Sequence, residues 1–112
     1  MLTELEICQK IAKISPPENL SFDTKGYPII RVLSKEKWVD FNPVINAGQL
    51  KVLTKKFLVS SKFEGAGVTS RAHTHKDDVL IAGESVFNGS YEKSILLAVI
   101  KLFETPELKD VL

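Results

Sequence analysis

Two histidines at alternate positions, His73 and His75, followed directly by Asp77 and Asp78, are the residues in this 112-residue chain best suited to hold a metal ion. Side chains at i and i+2 of a strand leave the same face, so two imidazoles there would project together with a carboxylate in reach. That donor set suits a borderline divalent cation, and with a fixed third ligand it would make a small metal-dependent enzyme. Nothing in the sequence fixes that ligand, and a solvated loop at a strand end accounts for the same residues. The same strand face offers a second chemistry. Lys62, Arg71, His73 and His75 would line a mostly cationic surface beside the hydroxyls of Ser60 and Thr69. An arginine fork grips phosphate bidentately and hydroxyls add donors, so a small phosphorylated or nucleotide-like ligand is a sensible guest. The plain alternative is a solvated polar face.

Other catalytic signatures are missing. Cys8 sits among apolar residues with no histidine near it in sequence, and reads as a small core hydrophobe. Gly65-Ala66-Gly67 lacks the third glycine and lysine of a phosphate-cradling loop and reads as a turn. No cofactor motif is present.

The charge is unevenly spread. The net charge is +1, yet residues 51–76 hold six cations against Glu64 alone, while 77–112 hold seven acids against three lysines. Such halves can carry an anion site or face each other within or between subunits. The basic stretch lacks interleaved exposed aromatics, so nucleic acid is not an expected partner. With 44% hydrophobic and 26% charged residues the chain is of ordinary globular composition and fits one domain over 1–112. One cysteine, no basic leader and no span long enough for a bilayer lead to the expectation of a cytoplasmic protein without membrane partners.

The elements that must position these residues follow from periodicity. Thr3 and Glu6 form a capping box opening a helix to about Ile14, stopped by Ser15-Pro16-Pro17. Residues 27–33 and 38–41 read as a hairpin. Asn42-Pro43 predicts a helix start, Asn as N-cap and Pro at the first position, with Val44, Ala47, Leu50, Leu53 and Phe57 at helical spacing. Residues 57–63 and 68–74 flank a Gly-containing loop and read as a second hairpin. Period two points Phe57, Val59, Phe63, Val68, Ser70 and Ala72 to the core, and Ser60, Lys62, Thr69, Arg71, His73 and His75 away. Residues 79–82 form a short apolar run and 83–89 a connection. The helix expected over 91–103, capped by Asn88 or Ser90, is apolar on nearly all sides and needs cover on more than one of them. Part of that cover would come from a second copy, which predicts a homo-oligomer. Residues 107–112 form a short amphipathic tail that docks back or meets a partner. The resulting fold class is α+β, three helices on a small antiparallel sheet of two hairpins in a single-domain sandwich.

Phe41-Asn42-Pro43 leading into a helix through Gln49 and Leu53, then a hairpin, then Phe87-Asn88-Gly89-Ser90-Tyr91 entering an apolar helix, resembles the layout of the small phage-encoded α/β-sandwich proteins of the NinX type. The likeness spans about two thirds of the chain. The closing helix is rich in Ile, Leu and Val where that family has alanine, and the tryptophan of its second hairpin strand has no counterpart near residues 69–73. The resemblance implies a non-enzymatic phage or prophage accessory protein, binding a host protein or a small anionic ligand in host takeover or counter-defence.

Overall fold

A computed structural model describes residues 2–32, 36–65, 67–76, 79–88, 90–106 and 108. Three helices and six strands follow in the order α1 (Glu4–Ile14), β1 (Leu20–Phe22), β2 (Pro28–Val32), β3 (Lys37–Asp40), α2 (Ala47–Lys56), β4 (Ser60–Glu64), β5 (Gly67–Lys76), β6 (Val79–Asn88) and α3 (Tyr91–Phe103). The α+β class is as expected. The strands, however, form two antiparallel three-stranded sheets, ordered β1-β2-β3 and β4-β5-β6, where the sequence predicted one sheet of two hairpins.

Two strands account for the difference. Leu20–Phe22 is short, and pairs with Pro28–Val32 in the register Leu20↔Ile30 and Phe22↔Pro28. β6 covers both the short apolar run and the expected connection, pairing with β5 over all ten residues from Gly67↔Asn88 to Lys76↔Val79. Gly83 in its middle is the residue that reads as a break. It is buried because α3 lies directly on it: a Cβ there would collide with the backbone of Leu102 and come within 2.8 Å of the Ala98 carbonyl. The glycine serves a close approach of helix to strand.

Helix starts follow local chemistry. The Thr3 hydroxyl accepts from the Glu6 amide at 3.1 Å while Glu6 accepts from the Thr3 amide at 3.0 Å, so the expected capping box is formed. These hydrogen bonds hold the Glu6 carboxyl below its usual range. Ser90 caps α3 by accepting from the Lys93 amide. The start of α2 differs from expectation. Asn42 Oδ1 accepts from the Val44 amide at 3.1 Å, and its carbonyl accepts from the amides of Ile45 and Asn46. Residues 42–46 therefore make a separate turn, and Asn46 is the true N-cap, accepting from the Gln49 amide at 3.0 Å. Asparagine's local hydrogen bonding favours such turns as readily as caps.

The centre of the core is α3. Ser94, Ile95, Leu96, Ala98, Val99, Ile100 and Leu102 are all buried, which takes in nearly the whole circumference of the helix. Its cover comes from within the chain. Ser94, Ala98 and Leu102, four residues apart, face β5 and β6, where the Ser94 hydroxyl meets the Val68 carbonyl at 2.9 Å. Ile100 lines a small cleft with Lys10, Lys13 and Ile14 of α1. Phe103 meets Phe57 edge-to-face with ring centres 5.6 Å apart. Ile7, Ile11, Phe41, Leu50 and Leu53 join these residues in one contiguous cluster. The apolar circumference of α3 thus finds its cover without a second copy. No helix among the described residues is long and apolar enough to cross a membrane. Of the tail, only Leu108 is described, and it is buried in the core.

Candidate functional site

Alternation along β5 sorts its residues as the sequence implied. Val68, Ser70 and Ala72 are buried under α3, while Arg71 and His75 are exposed and Thr69 and His73 half-buried. One expected core residue behaves otherwise, and a second reaches the core from a different element. Phe57 is buried as the C-cap of α2 rather than as a strand residue. Phe63, near the end of β4, is 66% exposed and stacks on Tyr91 at 5.6 Å, beyond the reach of the core.

The pairing register assembles the outer face. Ser60 lies opposite Arg71 and Lys62 opposite Thr69 across β4 and β5. Across β5 and β6, Arg71 lies opposite Glu84, His73 opposite Ala82 and His75 opposite Leu80. Ser60, Ser61, Lys62, Thr69, Arg71 and Glu84 line an open depression of about 320 Å³. Four of the six expected anion-binding residues therefore meet at one place, while His73 and His75 continue along the same face of β5 outside it.

Glu84 is not legible from the sequence, because residues 83–89 read as a connection; with β6 running through them, two-residue alternation puts Glu84 outward with Leu80 and Ala82. Arg71 Nη2 donates to Glu84 Oε2 at 2.9 Å. Both side chains are about half exposed, so water screens the pair and it adds little stability. It does change the site: the surface is less cationic than expected, and one branch of the guanidinium is already engaged. The remaining N–H donors of the fork are available for bidentate recognition.

His73 is held more firmly than a surface histidine needs. Its amide donates to the Phe57 carbonyl, at 2.6 Å, and its Nδ1 lies 3.1 Å from the Leu58 carbonyl. A carbonyl only accepts, so Nδ1 carries a proton, and in the neutral ring Nε2 keeps its lone pair. Leu58 adopts φ of +49°, a left-handed conformation costly for a non-glycine residue. Asp77 and Asp78 lie outside the described residues. Among the described residues, no group of three or more His, Cys, Asp or Glu could hold a metal.

Cys8 is fully buried, and its thiol donates to Asn42 Oδ1 at 3.3 Å. Burial, with a smaller push from Glu4, raises its pKa to about 11. A thiol so protonated is a poor nucleophile at neutral pH, in keeping with a core role.

No protein-family model matches the chain, and no curated protein matches it.

Proposed function

We propose that this is a non-enzymatic binding protein whose β4-β5-β6 outer face takes a small phosphorylated, nucleotide-like ligand. The observation that carries the reading is the register that sets Ser60 beside Arg71 and Lys62 beside Thr69 around one depression. Two cationic side chains and the two outward hydroxyls of Ser60 and Thr69 supply the donors that a phosphate needs. Glu84, paired with Arg71, offsets part of the positive charge that an anion meets there. A phage-type accessory role rests on the sequence resemblance alone. The alternative of a small metal-dependent enzyme needs carboxylates from Asp77 and Asp78 beside His73 and His75.

Two further contacts belong to the reading. A host protein is favoured by the outer face of the first sheet, where Trp38, 51% exposed, lies opposite Arg31, a pair of residue types that anchor protein interfaces. Self-association is favoured by the outer edge of β6, which no other described strand pairs. That ten-residue strand carries neither the lysine nor the proline that commonly blunts an edge.

Thermal-shift measurements against a panel of nucleotides and cyclic oligonucleotides test the ligand. One compound class raises the melting temperature, with about 2.7 kcal/mol of stabilisation at a hundredfold excess over Kd, and Arg71→Ala removes the shift. No shift with any compound removes the small-ligand reading and leaves the protein partner. Light scattering at micromolar concentration tests self-association: a dimer that Ala82→Lys converts to monomer supports the β6 edge, and a wild-type monomer refutes it.

A further inference from the structure

Leu58, in the left-handed region, lies in the short connection that follows α2 and precedes β4. Strained backbone persists where the surroundings over-determine it, and it clusters where a side chain must be held in one pose. Here the strained residue presents its carbonyl to His73 Nδ1 at 3.1 Å, and the preceding carbonyl, that of Phe57, accepts from the His73 amide. The backbone of β5 and the ring of His73 are thus both tied to the α2–β4 connection. A backbone carbonyl on one ring nitrogen is the usual device that fixes the tautomer of a metal-binding histidine and leaves the other nitrogen to the metal.

We infer that His73 and His75 form a two-histidine chelate for a divalent transition-metal ion on the outer face of β5. The two residues are two apart on one strand, so their side chains leave the same face about 6.7 Å apart along it. His73 is half-buried and tethered through Nδ1, with Nε2 as its remaining donor; His75 is exposed. The residue opposite His73 is Ala82, whose methyl group leaves room above the strand, and the one opposite His75 is Leu80. Arg71, the nearest cation in sequence on that face, has its charge compensated by Glu84. Two imidazoles select borderline metals over hard ones, in the order Ni(II) above Zn(II), with Mg(II) excluded. Two protein ligands leave the other coordination positions to water or an external ligand, so the ion is exchangeable rather than structural. This inference uses neither the anion-binding reading nor residues 77 and 78.

The test is calorimetric titration of the tag-free full chain with Ni(II), Zn(II) and Mg(II), read alongside the imidazole resonances. Ni(II) and Zn(II) bind one per chain in the order given, both histidine rings shift, and Mg(II) gives no heat. His75→Ala, at an exposed position, keeps the fold and weakens Ni(II) binding about tenfold or more; His73→Ala does the same. Absence of saturable Ni(II) binding to the wild type overturns the inference, as does equal binding by the His73→Ala/His75→Ala double variant. Nucleotide-induced thermal shifts are measured on the same variants in chelator, so a failure here and a failure of the anion site register separately.

Discussion

Gly83 lies against the backbone of Leu102, so closely that there is no room between β6 and α3 for even a methyl group. The contact is backbone to backbone, and relief requires the helix to move off the strand. Gly83→Ala is therefore expected to cost about 3 kcal/mol or more, the upper end of overpacking penalties, although alanine is otherwise the mildest change. Chemical denaturation checks this. A variant within about 0.5 kcal/mol of wild type, the range of ordinary surface changes, would show that α3 does not sit where described.

The same interface holds a polar line. Ser94 Oγ lies 2.9 Å from the Val68 carbonyl and 2.8 Å from Ser70 Oγ, and Ser70 lies 2.8 Å from Ser61 Oγ. Ser94 Oγ donates towards both the Val68 carbonyl and Ser70 Oγ, sharing its one proton between them, while between Ser70 and Ser61 either hydroxyl can donate. Ser70 and Ser94 have no exposed surface, so a broken link costs a buried polar group one of its partners with no water to replace it. Ser94→Ala is expected to cost about 1–3 kcal/mol. The Ser70→Ala/Ser94→Ala pair should cost less than the sum of the singles, since the second change removes a group that has already lost one partner to the first. A double-mutant cycle by urea denaturation measures the coupling, and strict additivity would contradict the shared Ser94–Ser70 hydrogen bond.

How far the sequence could be read is decided at such contacts. The Thr3–Glu6 box, the 91–103 helix and the alternation of β5 depend on neighbours a few residues apart, and all are legible from spacing. β6 is not, because Gly83 looks like a strand breaker until the helix above it is known. Glu84 was lost with it, and so was the half of the candidate site that faces Arg71. Asn42 was read as a cap because Asn-Pro commonly starts helices; its tertiary contacts to Cys8 and to Glu4, which accepts from Asn42 Nδ2 at 2.7 Å, lie more than thirty residues away. The cover of α3 was equally invisible, since an all-round apolar helix reads the same whether its own chain or a second copy encloses it.

Burial of Cys8 also sets a pH dependence. In the folded chain the thiol titrates near 11, against an ordinary value of 9.0. Between those values the folded state keeps a proton that the unfolded state loses, so stability is intact below about pH 9 and falls as the pH rises towards 11. Two pKa units correspond to roughly 2–3 kcal/mol. Denaturation of wild type and Cys8→Ala between pH 8 and about 11 isolates this share from lysine and tyrosine titration. The gap between the two proteins should narrow with rising pH, and a constant gap would show that the thiol is not protected. In parallel, the native thiol should react with a disulfide reagent only at the rate of opening.

Arg71 and Glu84 make the sharpest separation between an idle surface pair and a binding site. The pair is about half exposed, so Glu84→Gln should change stability by less than about 1 kcal/mol. Its effect on a phosphate in the depression is of opposite sign to that on stability. The carboxylate repels the anion and competes for the guanidinium; at about 4 Å in a watery setting a unit charge is worth about 1 kcal/mol, or fivefold in affinity. Glu84→Gln should therefore tighten binding of a nucleotide about fivefold while Arg71→Ala abolishes it, and added salt should shrink both effects. Titration of each variant at low and moderate ionic strength measures them. Looser binding in Glu84→Gln would assign Glu84 to direct contact with the ligand's hydroxyl or amine, and indifference of both variants would move the ligand off this face.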